Sequence, residues 1–255
     1  MSLVEHGSRS GIIWSGVTTV RARPWPGAPQ RAFLLISGSH GPDLRLPDAT
    51  VLSQWLNTLA SWGYTSVRTT AMAPPVAGVF HDLGFTTVQD LSLLQLSHTA
   101  SDRIDLPADI SPRVMPTGWL ARRFRPGSLN NVLSLDAAAF GSDWHMDMAN
   151  FTDALSATNQ SRVFVSHRNN ELEGFVLAGY TARHGFIQRL AVHPNARRGG
   201  VATRLLATSL NWIINNGCND TVVNTEVLNH PAQNLYRKFG FEDMNHGLIV
   251  MERDL

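Results

Sequence analysis

Apolar positions in the second half of the chain recur at two periods, and each period predicts its own elements. Phe186-Ile187-Gln188-Arg189-Leu190-Ala191-Val192 reads as a largely buried strand. Val201, Leu205, Leu206, Trp212 and Ile213 then fall largely on one side of a helix that Gly217 ends. Thr221 to Thr225 reads as the next strand. Asn229 reads as an N-cap with Pro231 in the first turn of a helix running to about Phe239. Upstream, Trp119 to Arg125 reads as a strand, Leu129 to Ala138 as a helix, and the region from Asp143 through Leu155 as a second helix. Arg162–Ser166 and Gly174–Tyr180 flank the turn Arg168 to Glu171 and predict a hairpin, and Leu248–Met251 reads as a closing strand.

The first half echoes the end of this series. Ala32–Ile36 reads as a strand, and Asp48 to Ser61 as a helix with Val51, Leu52, Trp55, Leu56 and Leu59 as its apolar set. Gly63 ends it, Thr65–Thr70 is a strand, and a short helix after Pro74 leads to Gly84-Phe85 and the strand Leu91–Leu96. Gly63 to Gly84 spans 21 positions and Gly217 to Gly240 spans 23, which predicts an internal repeat. Ser101 to Pro116, with three prolines and several charges, reads as the linker.

Composition narrows the class. At 255 residues the chain suits two domains, and 43% hydrophobic with 16% charged residues is globular. A net charge of +1 gives no field favouring nucleic acid or anionic membrane. Cys218 is the single cysteine, so neither an intrachain disulfide nor a cysteine zinc site is expected. The ten histidines form no ligand pair on one helix face, so no metal is expected. With no apolar signal core and no run of membrane length, a cytoplasmic location is expected.

The candidate chemistry begins at Arg197-Arg198-Gly199-Gly200-Val201-Ala202, between the central strand and its helix. The first amides of a helix lack intrahelical partners and sit at the positive end of its dipole. Glycine lets the main chain approach a phosphate, and two arginines add positive charge. The same residues also fit an ordinary turn with solvated arginines. A second pattern follows in Asn229, Ala232, Leu235, Tyr236, Gly240 and Phe241.

Arg197, Gly200 and Ala202 match Arg/Gln-x-x-Gly-x-Gly/Ala, after a strand end carrying Val192 and Pro194. The second pattern matches Asn-x-x-Ala-x-x-Leu-Tyr-x-x-x-Gly-Phe. Together, over roughly residues 118 to 255, they resemble the GNAT superfamily of acetyl-CoA-dependent N-acetyltransferases. The resemblance implies an α/β (α+β) fold with a mixed, mostly antiparallel, splayed sheet flanked by helices. It suggests two tandem GNAT domains, a degenerate one over 1–112 without the cofactor motif and a catalytic one over 113–255. Acetyl-CoA would be the acetyl donor. The acceptor would be a primary amine, of a peptide or protein N-terminus or of a small molecule.

By resemblance the pyrophosphate would sit on the amides of Arg198, Gly199, Gly200, Val201 and Ala202, with Arg197 alongside. The pantetheine would pair with the backbone of Leu190, Ala191 and Val192, with Asn229 and Ala232 nearby. The Val192 amide would be the oxyanion donor, and Tyr236 would protonate the leaving thiolate; its other reading is a core aromatic. Asn224 holds the place where protein N-terminal acetyltransferases often carry a glutamate, and it cannot take a proton. Glu226, two residues on, is a minor candidate for the base, its other reading being a solvated carboxylate. A water relay or an amine arriving neutral is the main expectation. Gln188, Phe140, Trp144 and Asn224 are the candidate acceptor contacts, with Phe140 and Trp144 equally readable as core.

Two other readings stay open. The tandem arrangement also resembles mycothiol synthases, acetyltransferases acting on a cysteinyl pseudodisaccharide. The pair of domains could instead be a non-catalytic acetyl-CoA-binding or interaction module. A nucleotide P-loop is excluded, because no Gly-Lys-Ser/Thr follows the turn.

Overall fold

The computed structural model describes residues 9–15, 19–37, 46–99, 101–105, 112–117 and 126–255, with side chains in the last stretch described from residue 128. The chain divides into two compact units. The first comprises Met1–Ser92, Glu226–Leu228 and Met244–Leu255, and the second Leu93–Thr225 and Asn229–Asp243. This division differs from the boundary expected at residue 112. Its cause is strand pairing: the C-terminal strand finds its partners far back in the sequence, in the first unit.

In the first unit β1 (Gly11–Ser15), β2 (Thr19–Trp25) and β3 (Ala28–Ser37) form an antiparallel meander. Helix α1 (Ala49–Ser61) crosses from β3 to β4 (Ser66–Thr69), which lies parallel to β3. Helix α2 (Pro74–Asp82) leads into β5 (Thr86–Ser97), whose strand spans the boundary between units. The last strand, β12 (Leu248–Asp254), pairs antiparallel with both β4 and the first half of β5. Leu52, Trp55, Leu56 and Leu59 of α1 are buried with Leu34, Val67, Phe80 and Met251 in one core. Each such side chain contributes roughly 1.5–3 kcal/mol by leaving water.

In the second unit β6 (Arg113–Met115), β7 (Gln160–Arg168), β8 (Glu171–Thr181) and β9 (His184–Val192) are consecutive antiparallel neighbours. Helix α5 (Val201–Asn215) crosses from β9 to the parallel strand β10 (Asp220–Glu226). Helix α6 (His230–Lys238) leads to β11 (Glu242–Asp243), which pairs with Gln95 and Leu94 at the end of β5. Helices α3 (Pro126–Trp144) and α4 (Met148–Ser156) complete the unit. Their core with β7, β8 and β9 contains Val132, Leu135, Phe151, Val163, Phe175 and Leu177. The core under α5 contains Ile187, Leu205, Leu206, Leu210, Val223 and Tyr236.

The architecture is the mixed, mostly antiparallel sheet with flanking helices that the motifs imply. The repeat has a structural counterpart in two parallel crossovers, β3-α1-β4 and β9-α5-β10. Gly63 and Gly217 end the two crossover helices with φ of 90° and 77°. Three expectations differ. Residues 113–115, inside the expected linker, form β6, because Met115 is buried against β7. β12 does not close the sheet of its own half. β1 and β2 extend the first unit beyond the elements expected. The strand expected at 119–125 lies outside the described residues.

Candidate active site

The site is built where β9 parts from its parallel neighbour. The β9–β10 ladder runs from His184↔Asp220 to Ile187↔Val223 and ends there. Beyond it, residues 189–192 of β9 pair with β8 alone among the described residues. Gln188 marks the change. It is the extra residue of a bulge, since Leu177 pairs with Arg189 while Ala178 pairs with Ile187.

The alternation of an antiparallel ladder fixes which backbone groups are open. The His193 amide donates to the Glu173 carbonyl at 2.8 Å, so the pairs on either side of Gly174↔Val192 are the hydrogen-bonded ones. The polar backbone groups of Val192 and Leu190 therefore point away from β8, to the side that β10 has left. Those of Ala191 turn towards Phe175. Of the three residues expected to hold a pantetheine, Leu190 and Val192 have backbone groups free to do so, and Ala191 faces the wrong way.

The anion cradle follows directly. A 3-10 turn (Pro194–Ala196) ends β9, and residues 197 to 200 make an exposed turn. Gly200 is the N-cap of α5 at φ 72°, and no side chain caps the helix. A Cβ on Gly200 would lie 3.1 Å from Arg204 Nη1, in a left-handed conformation that disfavours any side chain. Arg198 adopts φ 62°, uncommon for a residue with a Cβ and a form of strain that clusters at functional sites. Val201 is buried in the core and anchors the helix start. The first amides of α5 thus lie open at the positive end of a 15-residue helix. Arg197 is exposed and donates from Nη2 to the Ala139 carbonyl at 3.3 Å.

The first unit treats the matching position differently. Asp48 caps α1, its carboxylate accepting from the Val51 amide at 3.0 Å. A fixed negative charge occupies the helix start where α5 offers bare amides. Residues 38–45, the counterpart of the glycine turn, lie outside the described residues.

Tyr236 on α6 is 5% exposed and meets Phe241 at a tilt, 5.6 Å between centroids. It shares the core of Ile187 and Val223, against which Leu190 and Val192 also pack. No hydrogen bond to its hydroxyl is found among the described residues. Burial pushes its ionisation well above the ordinary tyrosine value, so the hydroxyl keeps its proton. Asn229 caps α6 through the Ala232 amide at 3.3 Å. Glu226 is exposed, falls in the first unit, and accepts a hydrogen bond from Gln89 Nε2. Asn224 is exposed on β10, two residues before its end.

The expected acceptor contacts receive more varied placements. Gln188 Nε2 donates to Thr158 Oγ1 at 3.3 Å, while its Oε1 is buried without a partner. Phe140 lies face-on to the Arg189 guanidinium, 3.4 Å from its centroid. Trp144 accepts from Arg189 through its backbone carbonyl at 2.7 Å. Arg189 and its partner Asp136, fully buried on α3, were not among the candidate residues. They stand 53 positions apart, and no local pattern joins them. Among the described residues no cluster of three metal-ligating side chains is present, and no helix is long and apolar enough to cross a membrane.

Comparison with known proteins agrees with this fold. Residues 129–241 match the model of the acetyltransferase (GNAT) family. The chain is 24% identical over 128 residues, half of its own length and 83% of the other's, to a putative [ribosomal protein bS18]-alanine N-acetyltransferase of Bacillus subtilis. It is 26% identical over 178 residues to a mycothiol acetyltransferase of Kocuria rhizophila, covering 62% of this chain and 56% of that one. A tandem GNAT protein from the clavulanic acid biosynthesis pathway shares the fold, with a TM-score of 0.60 at 13% identity, over 94% of this chain and 81% of that one.

Proposed function

We propose, from the match of residues 129–241 to the acetyltransferase (GNAT) family, that the chain transfers acetyl from acetyl-CoA to a primary amine. The observation that carries this reading is the end of the β9–β10 ladder at Ile187↔Val223, followed in the chain by the uncapped start of α5. A diphosphate fits the bare amides of the turn, and a pantetheine amide chain fits the open backbone of Leu190 and Val192 as an added strand.

The transfer then follows by direct attack. The neutral amine adds to the thioester carbonyl, and the Val192 amide donates to the developing oxyanion. Collapse breaks the C–S bond, and the thiolate takes the Tyr236 proton. The amine proton leaves through water, since Asn224 is no base and the Glu226 carboxylate is engaged by Gln89. Tyr236 recovers its proton from solvent.

The acceptor reading favours a small amine. The match to the mycothiol acetyltransferase runs over 178 residues and so exceeds the 128 matched in the ribosomal-protein acetyltransferase. A protein or peptide N-terminus is the second reading. Calorimetric titration with acetyl-CoA tests the donor half, and one site per chain is expected. Turnover of a panel of small amines against alanine-initiated peptides tests the acceptor half. Absence of acetyl-CoA binding would leave only an interaction module.

A further inference from the structure

Beneath the glycine turn lies a cation with no counter-charge among the described residues. Arg204 is the fourth residue of α5 and only 8% exposed. Its Nη1 donates to the Gly199 carbonyl at 3.0 Å and stands 3.1 Å from where a Gly200 Cβ would be. Its Nε and Nη2 are buried without a hydrogen-bond partner. No ion pair to it is found among the described residues.

Each of these features is unfavourable by itself. A buried charge without a counter-ion loses its hydration, and unpaired buried donors lose their hydrogen bonds. A cation in the first turn of a helix also faces the positive end of the dipole. Leucine or methionine would serve better at that buried station if packing were the only requirement. An anion seated on the turn above reverses the balance, because a guanidinium screened from water acts strongly on a nearby charge.

We propose that Arg204 is the counter-charge for the diphosphate of the thioester donor, a positioning residue that holds the Gly199 carbonyl back and sets a positive potential under the open amides. This rests on the reading that the turn receives acetyl-CoA. Arg168, whose Nη2 lies 3.9 Å from the Cβ position of Gly199, adds a second guanidinium beside the turn. Arg168, however, is already neutralised by Glu173 at 2.9 Å. Among the described residues Arg204 has no such partner.

The test measures calorimetric affinities for acetyl-CoA and for ADP, which carries a diphosphate without the pantetheine arm, together with thermal unfolding of the ligand-free protein. Arg204→Met is expected to weaken both ligands by about tenfold or more, while Arg204→Lys stays within about threefold of the parent. Arg204→Gln retains a donor for Gly199 but no charge, and should lose affinity like the methionine variant. The neutral variants should unfold at the same or a higher temperature than the parent. Parent-like affinity in both neutral variants overturns the proposal. So does an equal loss in the lysine variant accompanied by earlier unfolding, the signature of a merely structural arginine. If the parent protein binds neither ligand, the donor reading itself falls. If it binds acetyl-CoA and the neutral variants do as well, only the role of Arg204 falls.

Discussion

Asp136 and Arg189 meet in a two-pronged ion pair, at 2.7 and 2.8 Å, with the aspartate wholly withdrawn from solvent. The pair fastens the kinked end of α3 to β9. The carboxylate also accepts from the Met146 amide at 2.6 Å, and the guanidinium bonds the Trp144 carbonyl and lies on Phe140. Removing one partner leaves the other buried and unpaired. Asp136→Ala is expected to cost about 3–5 kcal/mol of stability, read from urea unfolding. A loss under about 1 kcal/mol would show that Arg189 finds water instead.

Gly200 and Asp48 hold the same station at the starts of α5 and α1, one bare and one carrying a carboxylate. Titration with acetyl-CoA should therefore give one site per chain. Gly200→Glu, which places a carboxylate among the anion-binding amides and a side chain at φ 72°, should abolish measurable binding. Retained affinity in that variant would move the site elsewhere.

Tyr236→Phe removes one hydroxyl from a packed ring and leaves the ring's contact with Phe241 in place. Turnover should fall by about 10²–10⁴ if the hydroxyl is the proton donor, with acetyl-CoA affinity nearly unchanged. Equal losses in affinity and turnover would instead indicate a packing role.

Two kinds of group make stability depend on pH. Burial raises Tyr64 to about 12 from an ordinary 10.0, and raises Tyr236 as well. The folded state then holds protons that the unfolded chain releases, so stability is full below pH 10 and declines as pH rises above it. His98 is shifted the other way, below 6.5, chiefly by burial. Its neutral ring meets Thr221 Oγ1 at 3.0 Å, so its contribution is present above pH 6.5 and lost on acidification. Thermal midpoints measured from pH 5 to 11 should trace a plateau with both shoulders. A flat acid side in the parent, matched by His98→Gln, would remove the histidine from the account.

What the sequence made legible was local. The glycine turn, the Asn229 cap and the hairpin at Asn169-Asn170 are set by residues a few positions apart, and the structure places each where its spacing implies. The GNAT fold followed from two such patterns in order. Long-range pairings left no local trace. Nothing near Leu248 announces that its neighbours will be β4 and β5, and nothing around Asp136 points to Arg189. The bulge at Gln188 and the early end of the β9–β10 ladder are likewise properties of registers, which one strand read alone does not carry. The burial of Arg204 likewise left no local trace.

The position of β12 orders the birth of the protein. Growing from its N-terminus, the chain lays down β1 to β4 early, but the strand that lies between β4 and β5 emerges only after the residues of the second unit have been made. Until then the edge of β4 presents unpaired amides and carbonyls, a template for pairing with other chains. The residues of the second unit are all made by Asp243, before its predecessor has its last strand.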